Sequence, residues 1–200
     1  MYKLYFSPGA CSLATQVILR ELNQPVELVN RADVEEFEKI NPTGAVPVLT
    51  SGHENLKEGA AIIFYLLDKY PNNFIPNDEV AKRQAIEDIL FANATVHPAY
   101  SKLFFTNGIE CGRDAKLVML EAAAKSISSL WQVVETRLPQ SPYLGGTSPS
   151  AADILLAVYQ RWGQFFPVDI KIGPKAQAMV RAIHDMPSFK ASLAAETELS

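Results

Sequence analysis

The sequence predicts an α/β domain over residues 1–76, with the order β-α-β-α-β-β-α, and an all-α domain over residues 77–200. Three observations support this prediction. Short strand-forming runs alternate with helical patterns before residue 75, helical periodicity dominates after it, and the breaker-rich segment 71–77 lies between them. The chain has 200 residues, of which 48% are hydrophobic, so it is long and apolar enough to fill a core.

Each element of the first domain follows from a local pattern. In chain order, the predicted elements are strand 2–6, helix 12–22, strand 26–29, helix 34–40, strand 46–49, strand 55–57 and helix 58–70. The crossover helix between the first two strands favours a parallel pair. The tight turn at residues 51–53 makes the last two strands antiparallel.

The second domain reads as helix throughout. The predicted helices span residues 80–105, 113–138, 154–166, 173–184 and 187–195. Apolar residues three and four apart mark one stripe along helix 113–138. Ser150 and Asp153 fit a capping box, in which the serine oxygen accepts from an amide three residues on and the carboxylate accepts from the serine amide.

Composition and charge exclude several classes of function. The formal net charge is −4, which argues against a general nucleic-acid surface. The apolar run 60–67 is far shorter than the roughly 20 residues of a membrane-spanning helix. The first residues leave no room for the apolar region of a signal peptide, and two cysteines are too few for a disulfide scaffold. We therefore expect a cytoplasmic protein with no membrane partner.

Cys11 lies where the first turn leads into the first helix. Unpartnered amides at a helix start stabilise a thiolate, so we expect the pKa of Cys11 to fall below about 8.5. A small buried residue would fit the same position equally well. No Cys-x-x-Cys motif accompanies it, so disulfide chemistry would need an outside thiol.

Two further segments could bind a peptide. Pro47, at the start of a strand, is a candidate for a cis bond that would turn the N–H and C=O of Val46 outward to pair with an extended peptide. The amides of Gly59 and Ala60 form an anion site at a helix start, while the Glu58 carboxylate can receive an ammonium group. An ordinary trans edge proline and a plain helix-start glutamate are the alternatives.

Several stretches resemble bacterial beta-class glutathione S-transferases. They are MYKLYFSPGACSLA at 1–14, INPTGAVPVL at 40–49, LKEGAAI at 56–62, HPAYSKLF at 97–104, SAAD at 150–153 and RW at 161–162. The resemblance runs in order along nearly the whole chain. It implies a thioredoxin-like N-terminal domain, a helical C-terminal domain and a homodimer.

The resemblance also implies roles for individual residues. Cys11 and His97 would be catalytic, with Cys11 beside the glutathione sulfur and His97 projecting toward it. The residues implied to bind glutathione, the co-substrate, are Cys11, Val46, Pro47, Glu58, Gly59 and, as the nearest cation, Arg31. The residues implied to line the electrophile site are Tyr100, Phe104, Trp162 and Phe165, although core packing is an alternative for most of them. Phe6, Leu90 and Pro98 depart from residues common among relatives.

The sequence therefore predicts a glutathione transferase that conjugates reduced glutathione to small apolar electrophiles, a detoxification reaction. The alternatives are a thiol–disulfide oxidoreductase, acting through a mixed disulfide of Cys11 and glutathione, and a non-enzymatic dimeric interaction module. The three histidines and two cysteines do not fall at metal-ligand spacing, so no metal is expected. The sequence does not name the electrophile.

Overall fold

The computed structural model describes residues 1–138 and 141–199. The chain divides into two compact units. Unit 1 comprises Met1–Asn77 and the segment from His184 onward, and unit 2 comprises Asp78–Ile183. The first boundary lies one residue beyond the predicted one. The last segment groups with unit 1, whereas the sequence-based division assigned it to the helical domain.

Unit 1 is built on a mixed four-stranded sheet. Its regular elements are β1 (Tyr2–Phe6), α1 (Ser12–Glu21), β2 (Val26–Asn30), β3 (Val48–Ser51), β4 (Glu54–Leu56), α2 (Gly59–Lys69) and α8 (Pro187–Glu198). The strand order is β2-β1-β3-β4, with β1 parallel to β2 and antiparallel to β3. β3 and β4 form the antiparallel hairpin. Both predicted pairings and the thioredoxin-like arrangement are confirmed.

The predicted helix over residues 34–40 is wrong. Two short 3₁₀ turns, Arg31–Asp33 and Phe37–Lys39, occupy this part of the chain instead. The Asn30 side chain accepts a hydrogen bond from the Ala32 amide, which closes the first turn locally. Glu36 has a φ of 55°, a left-handed conformation that no α-helix continues through.

The C-terminal helix α8 packs against α1. The Nε2 amide of Gln16 donates to Glu196 at 2.7 Å, and Arg20 Nε donates to the Ser192 hydroxyl at 3.1 Å. Gln16 and Arg20 are one turn apart on α1, as are Ser192 and Glu196 on α8. These polar contacts join α8 to a helix of the sheet unit, and their long sequence separation hides them from local patterns.

Unit 2 is helical. Its α-helices are α3 (Glu79–Leu90), α4 (His97–Gly108), α5 (Arg113–Arg137), α6 (Ala151–Gln160) and α7 (Pro174–His184), of which the last residue of α7 groups with unit 1. The predicted helix 80–105 is divided by a π-helical segment, Phe91–Val96. Pro98 lies in the first turn of α4, where its missing N–H is tolerated, and it cannot continue the preceding α-helical ladder. The predicted helix 154–166 begins earlier and ends as a 3₁₀ turn, Arg161–Phe165.

The predicted capping box at the start of α6 is confirmed. The Ser150 hydroxyl accepts from the Asp153 amide at 3.2 Å, and the Ser150 amide donates to the Asp153 carboxylate at 2.8 Å. Asp153 is completely buried and also accepts from the amides of Leu144 and Gly145. Its carboxylate therefore fixes both the helix start and the loop before it.

Helix α5 supplies much of the core of unit 2. Leu120, Ile127, Trp131 and Val134 are buried along its predicted apolar stripe. By length and composition alone, α5 is the one helix in the described ranges that could cross a membrane, a test that core helices of soluble proteins also pass.

Candidate functional site

Cys11 immediately precedes α1 and faces the loop that leads into β3. Its thiol donates a hydrogen bond to the Val46 carbonyl oxygen, with 3.3 Å between sulfur and oxygen. Burial, with a smaller contribution from the negative charge of Glu58, raises the pKa of the Cys11 thiol to about 11. The amides of Cys11 and Ser12 act in the opposite direction. The expected fall in the pKa of Cys11 is therefore wrong, because desolvation outweighs the helix-start amides.

The Val46–Pro47 peptide bond is cis, as the sequence indicated. Pro47 is buried, whereas Val46 is half-buried and precedes β3, so its backbone groups take no part in the sheet. Among the described residues, the Val46 N–H meets no acceptor. Within the same part of the chain, the Val46 carbonyl accepts from the Cys11 thiol and from no other donor. The backbone at Val46 therefore offers a ligand one N–H donor without an acceptor and one carbonyl oxygen that accepts a single hydrogen bond, both beside a cysteine.

The start of α2 forms the second part of the site. Glu58 precedes the helix, and its φ of 67° places a side-chain-bearing residue in a strained backbone conformation. The carboxylate is exposed, caps no helix amide and forms no ion pair within the ranges 1–138 and 141–199. The first amides of α2 at Gly59 and Ala60 are also unpaired there. A free carboxylate beside free amides can hold an ammonium and a carboxylate together.

Arg31 is held within its own segment. Its guanidinium lies 3.6 Å from the Glu38 carboxylate and 5.6 Å from the centre of the Phe37 ring. The side chain also lies close to Gly44, in the loop before Val46, where an added Cβ would be 3.2 Å from Nη2. Arg31 thus lies beside the loop that contains Val46, and its charge is already paired with the Glu38 carboxylate.

One contact to the Cys11 loop comes from a residue that sequence reasoning missed. The Gly9 amide donates to the Glu196 carboxylate at 2.8 Å. Glu196 lies in α8 and is only 3% exposed. A buried glutamate near the end of a short helix leaves no local signal, because its partners are 180 and 187 positions away along the chain.

His97 begins α4 in unit 2. Its ring stacks on Tyr159 with centroids 5.0 Å apart and an interplanar angle of 17°. Trp162 packs on it at 5.1 Å. Burial lowers the pKa of His97, which favours the neutral imidazole. A neutral imidazole can act as a hydrogen-bond acceptor or as a base at physiological pH.

Comparisons with known proteins identify the family to which the chain belongs. Residues 3–74 match the family model described as the N-terminal domain of glutathione S-transferases. Glutathione S-transferase GST-4.5 of Xanthomonas campestris is 34% identical over 175 residues, covering 84% of this chain and 85% of that protein. The chain belongs to the glutathione S-transferase family.

Solved structures place this transferase near the bacterial beta class. The beta-class enzyme of Sphingomonas chungbukensis is 31% identical with a TM-score of 0.83, and the alignment covers 99% of this chain and 100% of that one. A sphingomonad glutathione S-transferase complexed with glutathione is also 31% identical, with a TM-score of 0.83 and 98% coverage of both chains. The resemblance seen in the sequence motifs is confirmed.

The aromatic residues implied to line the electrophile site of the transferase differ in exposure. Tyr100 is completely buried, and its hydroxyl accepts from the indole of Trp131 at 2.9 Å, so it packs in the core of unit 2. Trp162 is 5% exposed. Phe104 and Phe165 are 47% and 60% exposed, so they offer apolar surface to a ligand. The four residues that the sequence had grouped together therefore fall into a buried pair, Tyr100 and Trp162, and an exposed pair, Phe104 and Phe165.

No metal centre is evident in the part of the transferase that the structure describes. Residues 1–138 and 141–199 contain no group of three or more His, Cys, Asp or Glu side chains that could hold a metal ion. Among the acidic side chains of unit 1, several pair with a cation, as Glu38 does with Arg31, whereas Glu196 binds amides.

Proposed function

We propose that unit 1 binds reduced glutathione and that the transferase joins its sulfur to small apolar electrophiles. The observation that carries this proposal is the open backbone of Val46 beside Cys11, together with the unpaired Glu58 carboxylate, which is close enough to influence the Cys11 thiol electrostatically. We further propose that the protein acts as a cytoplasmic homodimer in detoxification. The names of its relatives and the sphingomonad glutathione complex support this function.

Glutathione fits the two parts of the site by its chemistry. Its central cysteinyl unit has an amide N–H and a carbonyl that can pair with the backbone of Val46 as a short added strand. Its γ-glutamyl end carries an ammonium and a carboxylate, which match Glu58 and the amides of Gly59 and Ala60. Pro47 fixes the backbone between these contacts and β3. Arg31 would supply a cation to the remaining carboxylate only by loosening its pairing with Glu38.

Conjugation requires a glutathione thiolate at the electrophile. The thiol proton passes to solvent, the sulfur electron pair forms a bond to the electrophilic carbon, and the bond from that carbon to the leaving group breaks, so that the group departs with its electron pair. The amides of Cys11 and Ser12 lower the pKa of a sulfur at the start of α1, so they are suited to stabilise this thiolate. In unit 2, we assign the neutral imidazole of His97 as the second catalytic group. The exposed rings of Phe104 and Phe165 would be the apolar contacts for the electrophile, with the buried rings of Trp162 and Tyr100 behind them.

Thiol–disulfide exchange through Cys11 is less well supported. Exchange needs the Cys11 thiolate, and a pKa of about 11 leaves only about one thiol in ten thousand ionised at neutral pH. A non-enzymatic module would have no use for an unpaired carboxylate beside free helix-start amides. Both alternatives remain distinguishable from conjugation by experiment.

The test is calorimetric titration of the full-length protein with reduced glutathione, followed by a conjugation assay with an aromatic halide. We expect binding to the wild type and about tenfold weaker binding to Glu58→Gln, which loses the ammonium partner. Glu54→Gln, an exposed carboxylate on β4, is the matched control and should bind as the wild type does. Absence of heat and of conjugation in the wild type would refute the proposal.

Mass spectrometry and size measurement test the remaining points. The protein is incubated with oxidised glutathione and weighed. Disulfide exchange would be favoured instead if the mass rises by one glutathione, if Cys11→Ala shows no such rise, and if the wild type shows no conjugation. Light scattering after gel filtration should give twice the chain mass of 22.0 kDa if the protein is a homodimer.

A further inference from the structure

Glu196 joins the loop before Cys11 to the body of helix α1. One carboxylate oxygen, Oε2, accepts from the backbone amide of Gly9 at 2.8 Å. The other, Oε1, accepts from the side-chain amide of Gln16 at 2.7 Å. Gly9 lies two residues before Cys11, and Gln16 lies five residues after it. A single side chain therefore ties both flanks of the cysteine together.

The Gly9 loop needs such an anchor because its backbone is unusual. Gly9 has a φ of +72°, a conformation open to glycine at little cost, and glycine is also the residue with the most freedom to leave it. The loop is closed locally by the Ala10 amide, which donates to the Ser7 carbonyl at 3.1 Å. The bond to Glu196 is the contact that fixes the Gly9 amide itself to another element of unit 1.

The burial of Glu196 also points to a specific role. The side chain is 3% exposed, and a buried carboxylate is costly unless its oxygens are satisfied by donors. Attachment of α8 to α1 does not depend on it alone, because Arg20 also donates to Ser192 one turn earlier on α8. Both contacts belong to the same helix pair, and of these two residues of α8 it is Glu196 that reaches the cysteine loop.

We propose that Glu196 is a positioning residue for the glutathione site: through Gly9 and Gln16, it fixes the Cys11 loop where the glutathione sulfur is held. The proposal deepens and rests on the proposed glutathione-binding function. Without Glu196, the loop would sample other conformations, Cys11 would leave its contact with Val46, and the amides of Cys11 and Ser12 would no longer point at a fixed sulfur position. A misplacement of about 1 Å at a reacting atom can lower the rate of catalysis about a hundredfold.

The experiment compares three variants in a Cys111→Ser background, so that Cys11 is the one thiol that reacts. Glu196→Ala removes both bonds. Glu196→Gln keeps an oxygen for Gly9, and its amide can donate to Gln16 Oε1, which has no partner in the described structure. Ser192→Ala breaks the neighbouring α8 contact and leaves Gly9 untouched.

Two measurements are made on each variant: the KM for glutathione in conjugation, and the rate of Cys11 alkylation by iodoacetamide as a function of pH. We expect Glu196→Ala to raise KM about tenfold and to speed alkylation about tenfold at pH 9, because the thiol leaves its buried contact and its pKa falls toward the ordinary value. Glu196→Gln should stay within about threefold of the parent, and Ser192→Ala within about twofold.

A structural role without positioning would give a different pattern. Equal changes in Glu196→Ala and Ser192→Ala, or unchanged alkylation in Glu196→Ala, would overturn the proposal. If Glu196→Ala does not fold, Glu196→Asp takes its place, because it retains the charge but withdraws it from Gly9. If the wild type binds no glutathione, the proposed function fails, and the alkylation profiles still decide whether Glu196 positions Cys11.

Discussion

The Cys11 thiol and the Val46 carbonyl form a hydrogen bond of 3.3 Å between the start of a helix and the residue before a cis proline. This contact joins the two backbone features that the proposed glutathione site requires. It also keeps the thiol proton in place, since a thiolate could not donate to a carbonyl. Cys11 is therefore a hydrogen-bond donor, held protonated by its surroundings.

Alkylation of Cys11 should follow an unusually high pKa. Because burial raises the pKa of the thiol to about 11, its reaction with iodoacetamide should be slow at pH 7 and rise steeply between pH 9 and 11. Glu58→Gln removes a negative charge that raises this pKa, so alkylation at pH 9 should become several times faster. Mass spectrometry of the modified peptide gives the rates. A profile centred near pH 8.5 in the wild type would contradict the structure.

Comparing Glu58→Gly with Glu58→Gln should distinguish the effect of residue 58 on stability from its effect on glutathione binding. The φ of 67° at Glu58 is strained for a residue with a Cβ and easy for glycine. We expect Glu58→Gly to be more stable than Glu58→Gln by about 1 kcal/mol, with both variants losing the same affinity for glutathione. Urea unfolding and calorimetry measure the two quantities. Equal stability of the two variants would show that the backbone at residue 58 is unstrained.

His97 should titrate below its usual pKa of about 6.5. Burial against Tyr159 and Trp162 disfavours the imidazolium, so the folded protein binds the proton of His97 less readily than the unfolded chain does. The stabilisation by neutral His97 is therefore complete above about pH 7, and it is lost as the pH falls below the usual pKa of about 6.5. Two-dimensional NMR of the imidazole protons, assigned with His97→Asn, gives the midpoint. His97→Asn should also lower the rate of conjugation while leaving the affinity for glutathione unchanged, and equal losses of both would contradict a catalytic role.

Tyr100 and Phe104 should respond differently to substitution. Tyr100→Phe leaves the buried indole N–H of Trp131 without its acceptor, which should lower the free energy of unfolding by about 1–3 kcal/mol with little effect on conjugation. Phe104→Ala removes a half-exposed ring, so it should raise the KM for an apolar halide and change stability less. Thermal unfolding and steady-state kinetics distinguish the two. The reverse pattern would move Tyr100 into the electrophile site.

Tyr65 should ionise below the usual tyrosine pKa of about 10. The Lys69 ammonium donates to its phenol oxygen at 2.6 Å, and this contact lowers the pKa of Tyr65 to about 8. The ultraviolet absorbance of phenolate should therefore show one tyrosine titrating near pH 8. That step should vanish in Tyr65→Phe, move upward in Lys69→Gln and stay in place in Lys57→Gln, an exposed lysine in the loop before α2. A single transition near pH 10 would rule out the Lys69 contact in solution.

Local chemistry in the sequence determined the architecture and much of the site. Alternating and helical periodicities gave the strands and helices, and the pattern Ser150–Asp153 gave a capping box that the structure reproduces. The cis bond before Pro47 and the start of α2 at Gly59 followed from residue types whose backbone preferences act over a few positions. The failed helix at residues 34–40 shows the limit, since a left-handed Glu36 carries no clear sequence signal.

Tertiary structure alone decided the properties that depend on distant neighbours. The pKa of Cys11 rises because burial outweighs local amides, and burial is a property of the packed unit. Tyr100 is a core residue and Phe104 a surface one, although both lie on α4 and were grouped together by their aromatic character. Glu196 reaches Gly9 across 187 positions of the chain. Such contacts join elements that only folding brings together, so no local pattern could have predicted them.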